Sequence, residues 1–211
     1  LQEGVDPGVR GQLMQEGKEQ ALDDIETLFE TTYLESNYEE ADWNTVTGYR
    51  EAAETAVESA TEVDQLSTII SQMKTNIDAV PTAAERLAAY IQPLIADLEK
   101  KYYHEVQNPY SVQKSGYKYD LDQYLIQADR LGVMHELKVG FLAELEVYKT
   151  TLLDAKENGI TAIENAKTKA EANTAKEEAI AAMAKVVEDA KAHTVNNGVA
   201  DKWDGTTKAQ P

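Results

Sequence analysis

The chain has 211 residues and no cysteine, so a disulfide framework, a thiol nucleophile and a thiolate metal site are all excluded. Aromatic residues make up only 7% of it, against 42% hydrophobic residues overall. No strand-like alternation of any length appears, and no run of about 18 apolar residues that could span a membrane. A secretory signal peptide is also missing, although the chain opens on Leu1 rather than methionine. We read that opening as a processed product or a cloned fragment, so a signal or an anchor could lie outside it. Basic residues are scarce as well: 20 Lys and Arg face 38 Asp and Glu, a net charge of −18. Residues 1–101 hold 7 basic and 21 acidic residues, and the remainder 13 and 17. Nucleic acids and anionic membranes need a basic footprint, and this surface repels both. An acidic face can attract cations or a basic partner, but more commonly it is a solvated face that maintains solubility.

What is present is helical periodicity. Val63, Leu66, Ile70, Met73, Ile77 and Val80 follow one another at alternating spacings of 3 and 4, one narrow stripe of a helix. Thr61 is the expected N-cap, with Asp64 as a weak capping-box partner, and Pro81 ends the helix, giving residues 62–80. Trp43, Val46, Ala53, Ala56, Val57 and Ala60 form a second stripe, and Leu13, Ala21, Leu22, Ile25, Leu28 and Phe29 a third. YLESNYEEAD connects these two stripes. A one-stripe helix must bury it against neighbours, so residues 1–82 read as a three-helix bundle.

Residues 83–194 read as a second, longer bundle of three to four helices. A helix over 83–101 contains Pro93, a kink or a junction, and is expected to join the two units rigidly, as a rod. Leu121, Leu125, Ala128, Leu131, Met134, Leu137, Leu142, Leu145, Tyr148 and Leu152 suggest one long helix, weakened at Gly132 and Gly140 by about 1 kcal/mol each relative to alanine. Asn158-Gly159 is the expected stop of that helix. Residues 159–194 resemble 53–80, with Ile163 near Val57 or Ala56, Thr168 near Thr61, and Val186 or Val187 under Val80, as in an internal repeat. The expected class is all-α, in elongated helical bundles. Residues 195–211, with Trp203, form a linker-like tail.

The string NYEEADWNTVTGYREAAETAVESATEVDQLSTIISQMKTNIDAVPT resembles the FIVAR-type helical repeats ("found in various architectures") of Gram-positive surface and secreted proteins. The matching positions are Tyr38, Trp43, Ala53, Ala56, Thr61, Glu62, Val63, Asp64, Ile77, Asp78, Ala79 and Val80. Residues 159–187 are similar to a looser copy without the Trp. The resemblance implies an extracellular stalk, spacer or adhesin-type module, part of a larger multidomain chain, with host proteins or carbohydrates as partners of some relatives. It carries no catalytic residues to transfer.

Between the repeats lies YYHEVQNPYSVQKSGYKYDLDQY, which holds six of the eleven tyrosines. Asn108, Pro109, Ser115 and Gly116 mark it as an inserted loop over 102–120. Tyrosines on a loop stack on sugar rings or anchor a protein interface, and Tyr110, Tyr117 and Tyr119 are the candidate ligand-binding residues. Against this stands simple packing of Tyr102, Tyr103, Tyr119 and Tyr124 onto a bundle end. Chemistry is sparsely signalled. His104-Glu105 and His135-Glu136 lack the second histidine of a zinc helix, His193 stands alone, and Asp23-Asp24 and Glu39-Glu40 are solvated pairs. No metal, no cofactor and no catalytic residue is expected. An enzyme would need a pocket lined by buried carboxylates or histidines. The expected function is a non-enzymatic structural and interaction module, the alternative a glycan- or host-protein-binding module acting through the Tyr-rich loop.

Overall fold

The structure is a computed structural model that describes residues 4, 6–134 and 141–196, and the side chains of these outside 127–145 and 194–196. Among the described residues the fold is helical, with one small hairpin: α1 (Pro7–Thr31), α2 (Glu40–Ser59), α3 (Val63–Asp78), α4 (Ala83–Tyr102), β1 (His104–Asn108), β2 (Ser111–Ser115), α5 (Tyr117–Met134), α6 (Phe141–Glu164) and α7 (Lys169–Asn196). Residues up to Ala88 belong to one compact unit and those from Ala89 to a second. The division falls within α4, which runs through Pro93 as a single helix.

In the first unit α1, α2 and α3 pack on one another, which gives each stripe its neighbour. Ile25, Val46, Val57 and Ile77 are fully buried, each contributing about 1.5–3 kcal/mol. Leu66 and Met73 join them, while Ile70 and Val80 pack half-buried at the edge of the core. Val63 and Leu13, assigned to stripes above, are exposed: Val63 stands in the first turn of α3, and at that level of α1 it is the neighbouring Met14 that packs against the core. The N-cap of α3 is Glu62 rather than Thr61, and its partner is Gln65 rather than Asp64: a reciprocal capping box closes between Glu62 and Gln65. Gln65 Oε1 accepts from the Thr61 and Glu62 amides at 2.9 and 3.2 Å. With the cap on Glu62, position N3 falls on Gln65, whose side chain reaches back, and Asp64 stands at N2.

In the second unit α6 and α7 form a hairpin against which α5 packs, and α4 joins it through Leu98, fully buried. The periodic series over 121–152 is therefore carried by two helices, α5 and α6, and not by one. Gly140 and the residues around it, 135–140, lie outside the described residues. Asn158-Gly159 does not stop a helix either: α6 continues to Glu164. Gly159 is instead a contact point. A Cβ built there would sit 2.3 Å from Ala179 Cβ and 3.1 Å from Leu98 Cδ2, so the glycine sets how closely α6 and α7 approach. Gly159→Ala is expected to destabilise by about 1–3 kcal/mol through overpacking, despite a helix-propensity gain of about 1 kcal/mol. Adding Ala179→Gly should recover most of the loss in a denaturant-unfolding double-mutant cycle.

The burial and capping pattern of α2–α3 recurs in α6–α7 in one constant register. Val46, Ala53, Val57, Ala60, Leu66, Met73 and Ile77 match Leu152, Gly159, Ile163, Ala166, Ala172, Ala179 and Met183, all of them buried. The Ala60 amide donates to Val57 O and the Ala166 amide to Ile163 O, both at 3.2 Å. Glu62 with Gln65 corresponds to Thr168 with Glu171, whose amide donates to Thr168 Oγ1 at 3.1 Å. Thr168 therefore matches Glu62, one residue from the Thr61 expected above. Ile25 of α1 and Leu98 of α4 are both fully buried, and the cation over the aromatic ring recurs: Arg50 on Phe29 at 4.8 Å, Lys156 on Tyr102 at 4.9 Å. Helices α4, α6 and α7 thus repeat α1, α2 and α3. The second copy carries β1, β2 and α5 where the first has a short connection from α1 to α2.

Candidate functional site

The Tyr-rich segment is a β-hairpin rather than a loop, with β1 and β2 antiparallel and His104 opposite Ser115, Val106 opposite Gln113 and Asn108 opposite Ser111. Strands of five residues with one valine each give no alternation to read. The turn explains the hairpin. Pro109 fixes φ near −65°, which rules out the mirror-image turns that suit strand twist. Asn108 closes the turn instead, its Oδ1 accepting from the Tyr110 amide, the Ser111 amide and the Ser111 hydroxyl at 3.1, 2.9 and 3.1 Å.

The base is fixed by side chains. The Tyr103 hydroxyl donates to Glu105 Oε2 at 2.7 Å and Gln107 Nε2 to Glu105 Oε1 at 3.2 Å, with Lys114 Nζ 3.9 Å from the same carboxylate. These bonds hold the Glu105 carboxyl below its usual range, Tyr103 first and Gln107 second, and the bond to Glu105 raises the Tyr103 phenol. Lys118 Nζ lies 5.2 Å over the Tyr103 ring.

The three candidate tyrosines are not brought together. Tyr110 stands at the tip of the hairpin, 97% exposed. Tyr117 and Tyr119 are half-buried in the first turn of α5, beyond the base, and roughly 14 Å of ribbon at about 3.4 Å per residue separates them from the tip. Two positions apart on a helix, they also point in different directions. Tyr102, Tyr103 and Tyr124 are half-buried too, the Tyr124 hydroxyl donating to Lys191 O at 3.4 Å.

A second cluster, in which Tyr33, Tyr38 and Asp42 of the connector meet Phe29 and Trp43 of the stripes, closes one end of the first bundle. Asp42 is a buried carboxylate held by Arg86 of α4, whose Nε and Nη2 donate to Oδ2 and Oδ1 at 2.5 and 2.7 Å. Buried charges persist when paired in this bidentate way. Tyr33 is buried and donates to Asp78 Oδ1 at 3.0 Å. Phe29 meets both Tyr33 and Trp43, and Tyr38 stacks on Trp43 at 6.0 Å. The only sequence signal was an aspartate at the face-forming spacing from Val46, four residues on.

Burial, aided by the bond to Asp78, pushes the Tyr33 phenol up to about 12, and burial raises Tyr38 as well. The Tyr33 phenol is neutral in the fold, so its contribution is complete below pH 10, the ordinary tyrosine value, and is lost as pH rises through about 12. Alkaline unfolding followed by circular dichroism should show the first bundle losing about 2–3 kcal/mol across that window. Tyr33→Phe should flatten the pH dependence there.

His104 is half-buried at the start of β1, His135 lies outside the described residues, and His193 is not solitary: the Tyr148 hydroxyl is 3.2 Å from its Nδ1. Among the described residues no three His, Cys, Asp or Glu side chains converge as metal ligands. Among them, too, no helix is long and apolar enough to cross a membrane. Trp203 and residues 197–211 lie outside the described residues. No family model, no curated protein and no solved structure matches the chain.

Proposed function

We propose that this chain is a non-enzymatic structural and interaction module of a bacterial cell-surface or secreted protein, a helical spacer or adhesin-type domain within a larger chain. One observation carries this reading: the same three-helix unit occurs twice, with matched cores, matched caps and matched cation–ring contacts. Repetition of a packing unit extends a scaffold without adding chemistry. The FIVAR-type resemblance agrees with an extracellular setting. Antibodies raised against the chain should label intact, unpermeabilised cells of the producing organism or detect the protein in the medium. Signal confined to lysed cells overturns the surface assignment.

A second reading is favoured by the bare Tyr110 at the end of a hairpin that the sister unit lacks. In it the chain is itself a ligand-binding module, for a glycan or a host protein, and the helical scaffold presents the hairpin.

A further inference from the structure

We propose that the β1–β2 ribbon is a docking edge for an extended protein segment, which adds as a third strand along β1. The proposal rests on the second reading above, and it commits that reading to a protein partner and to a mode of contact.

The ribbon does not serve the helical core. The first unit builds the same three-helix packing without it, and every residue from 105 to 115 is exposed. A free two-stranded hairpin is marginal in water, yet this one is fixed at both ends, by the Asn108 bonds at the tip and by the Tyr103–Glu105–Gln107 bonds at the base. A ribbon that buries nothing but is held in shape is preorganised for contact.

The chemistry of the ribbon selects the partner. Residues 104–115 carry one acidic and one basic residue, Glu105 and Lys114, so the ribbon is neutral in a chain of net charge −18. Neither a polyanion nor a polycation is favoured there. A sugar platform needs aromatic rings side by side, and Tyr110 is the single ring exposed on the ribbon. What remains is backbone. The pair next to a two-residue turn is hydrogen-bonded, so Asn108, Val106 and His104 face β2 and the N–H and C=O groups of Glu105 and Gln107 point outward. β2 runs through Gly116 straight into α5 and contacts that helix, so a strand added on its side would have to pass the start of α5, and the outer edge of β1 is the one to extend. An incoming strand gains the bonds of Glu105 and Gln107 along that edge, with Tyr110 as a side-chain anchor at its end.

The test uses the full chain and a variant in which residues 104–115 are replaced by Gly-Ser-Gly. A Cβ built at Gly116 would lie 2.6 Å from Tyr102 O, so the two ends of the excised ribbon are already adjacent. A phage-displayed library of random dodecapeptides is selected on the full chain and counter-selected on the excised variant, with a glycan array in parallel. Selected peptides are synthesised and titrated by fluorescence anisotropy against wild type, Gln107→Pro and Tyr110→Ala. Gln107→Pro removes an outward donor together with the Nε2 bond to Glu105 and keeps the bonds between β1 and β2, which retained amide protection in the hairpin verifies, while Gln107→Ala, which loses only the side-chain bond, should bind like wild type. Peptides that bind wild type, weaken at least about tenfold with Gln107→Pro and are lost on excision support the proposal. Peptide binding lost on excision but untouched by Gln107→Pro overturns strand addition and leaves the ribbon as a binding element. Glycan binding alone, lost on excision, overturns the protein partner in the same way. Binding indifferent to excision, or no binding in either arm, overturns both the proposal and the reading beneath it.

Discussion

Ile77→Asp is expected to unfold the first bundle. Ile77 is fully buried with Ile25, Val46 and Val57 around it in the same core, so the substitution removes about 1.5–3 kcal/mol of apolar burial. It also leaves a carboxylate with no partner, at a further cost of several kcal/mol even after the group takes up a proton. The sum approaches the 5–15 kcal/mol of an entire domain. Ile70 lies on the same stripe and offers the control. It is half-buried, its side chain can turn a carboxylate toward water, and Ile70→Asp should cost only about 1–3 kcal/mol, within the range of ordinary destabilising substitutions. Segment-resolved hydrogen exchange separates the outcomes. Protection across α1, α2 and α3 should vanish in Ile77→Asp and weaken in Ile70→Asp; full protection in Ile77→Asp would remove this residue from the core.

Gly116→Ala should release the hairpin from the helices. Gly116 has φ of +105°, which L side chains rarely adopt, a conformational cost of about 1–3 kcal/mol. The space is closed as well. A Cβ would lie 2.6 Å from Tyr102 O, 2.8 Å from Tyr102 C and 2.9 Å from Lys101 O. These atoms are backbone at the end of α4, so no side-chain rotation relieves the overlap, and a further 1–3 kcal/mol follows. The total of about 2–6 kcal/mol falls on the junction of β2 and α5. Backbone amide shifts and exchange in residues 104–120 should change while α1, α2 and α3 keep their protection. An alanine variant with native shifts and native stability at that junction would show that the positive φ is not required. The same junction explains how a ribbon without a core keeps a defined base.

Much of the fold was legible because helices report their burial through spacing. Leu66, Met73 and Ile77 lie on one stripe, as do Val46, Ala53 and Val57, and the helices that carry them pack on one another in the first unit. Pro81 ends α3 within a few residues of its expected position. The hairpin was less legible. Its strands face solvent on both sides, so no alternation of apolar and polar residues was required, and the Asn108-Pro109-Tyr110-Ser111 turn read only as loop chemistry. Glycine misled for a related reason. Gly159 has the composition of a helix stop, but what it meets is Ala179 and Leu98, residues distant in sequence. A propensity cannot tell a terminus from a close approach.

The candidate tyrosines show the same limit. Their clustering in sequence was real, yet a ribbon carries Tyr110 away from its base while Tyr117 and Tyr119 enter a helix. The Asp42–Arg86 pair was hard to read for the opposite cause, since its partners lie in α2 and α4 and only Asp42, four residues before Val46, stands at a core-facing spacing.

By itself, then, the sequence determined the helical class, the stripes of the first bundle, the presence of a related pattern in the second half and the acidic, cysteine-free surface. Each of these follows from the period of one segment or from composition. The tertiary structure decided the register of the repeat, the replacement of one long helix by α5 and α6, the role of Gly159 and Gly116, and the conversion of a loop into a ribbon. Those depend on which atoms meet across the chain, and local spacing carries no record of that.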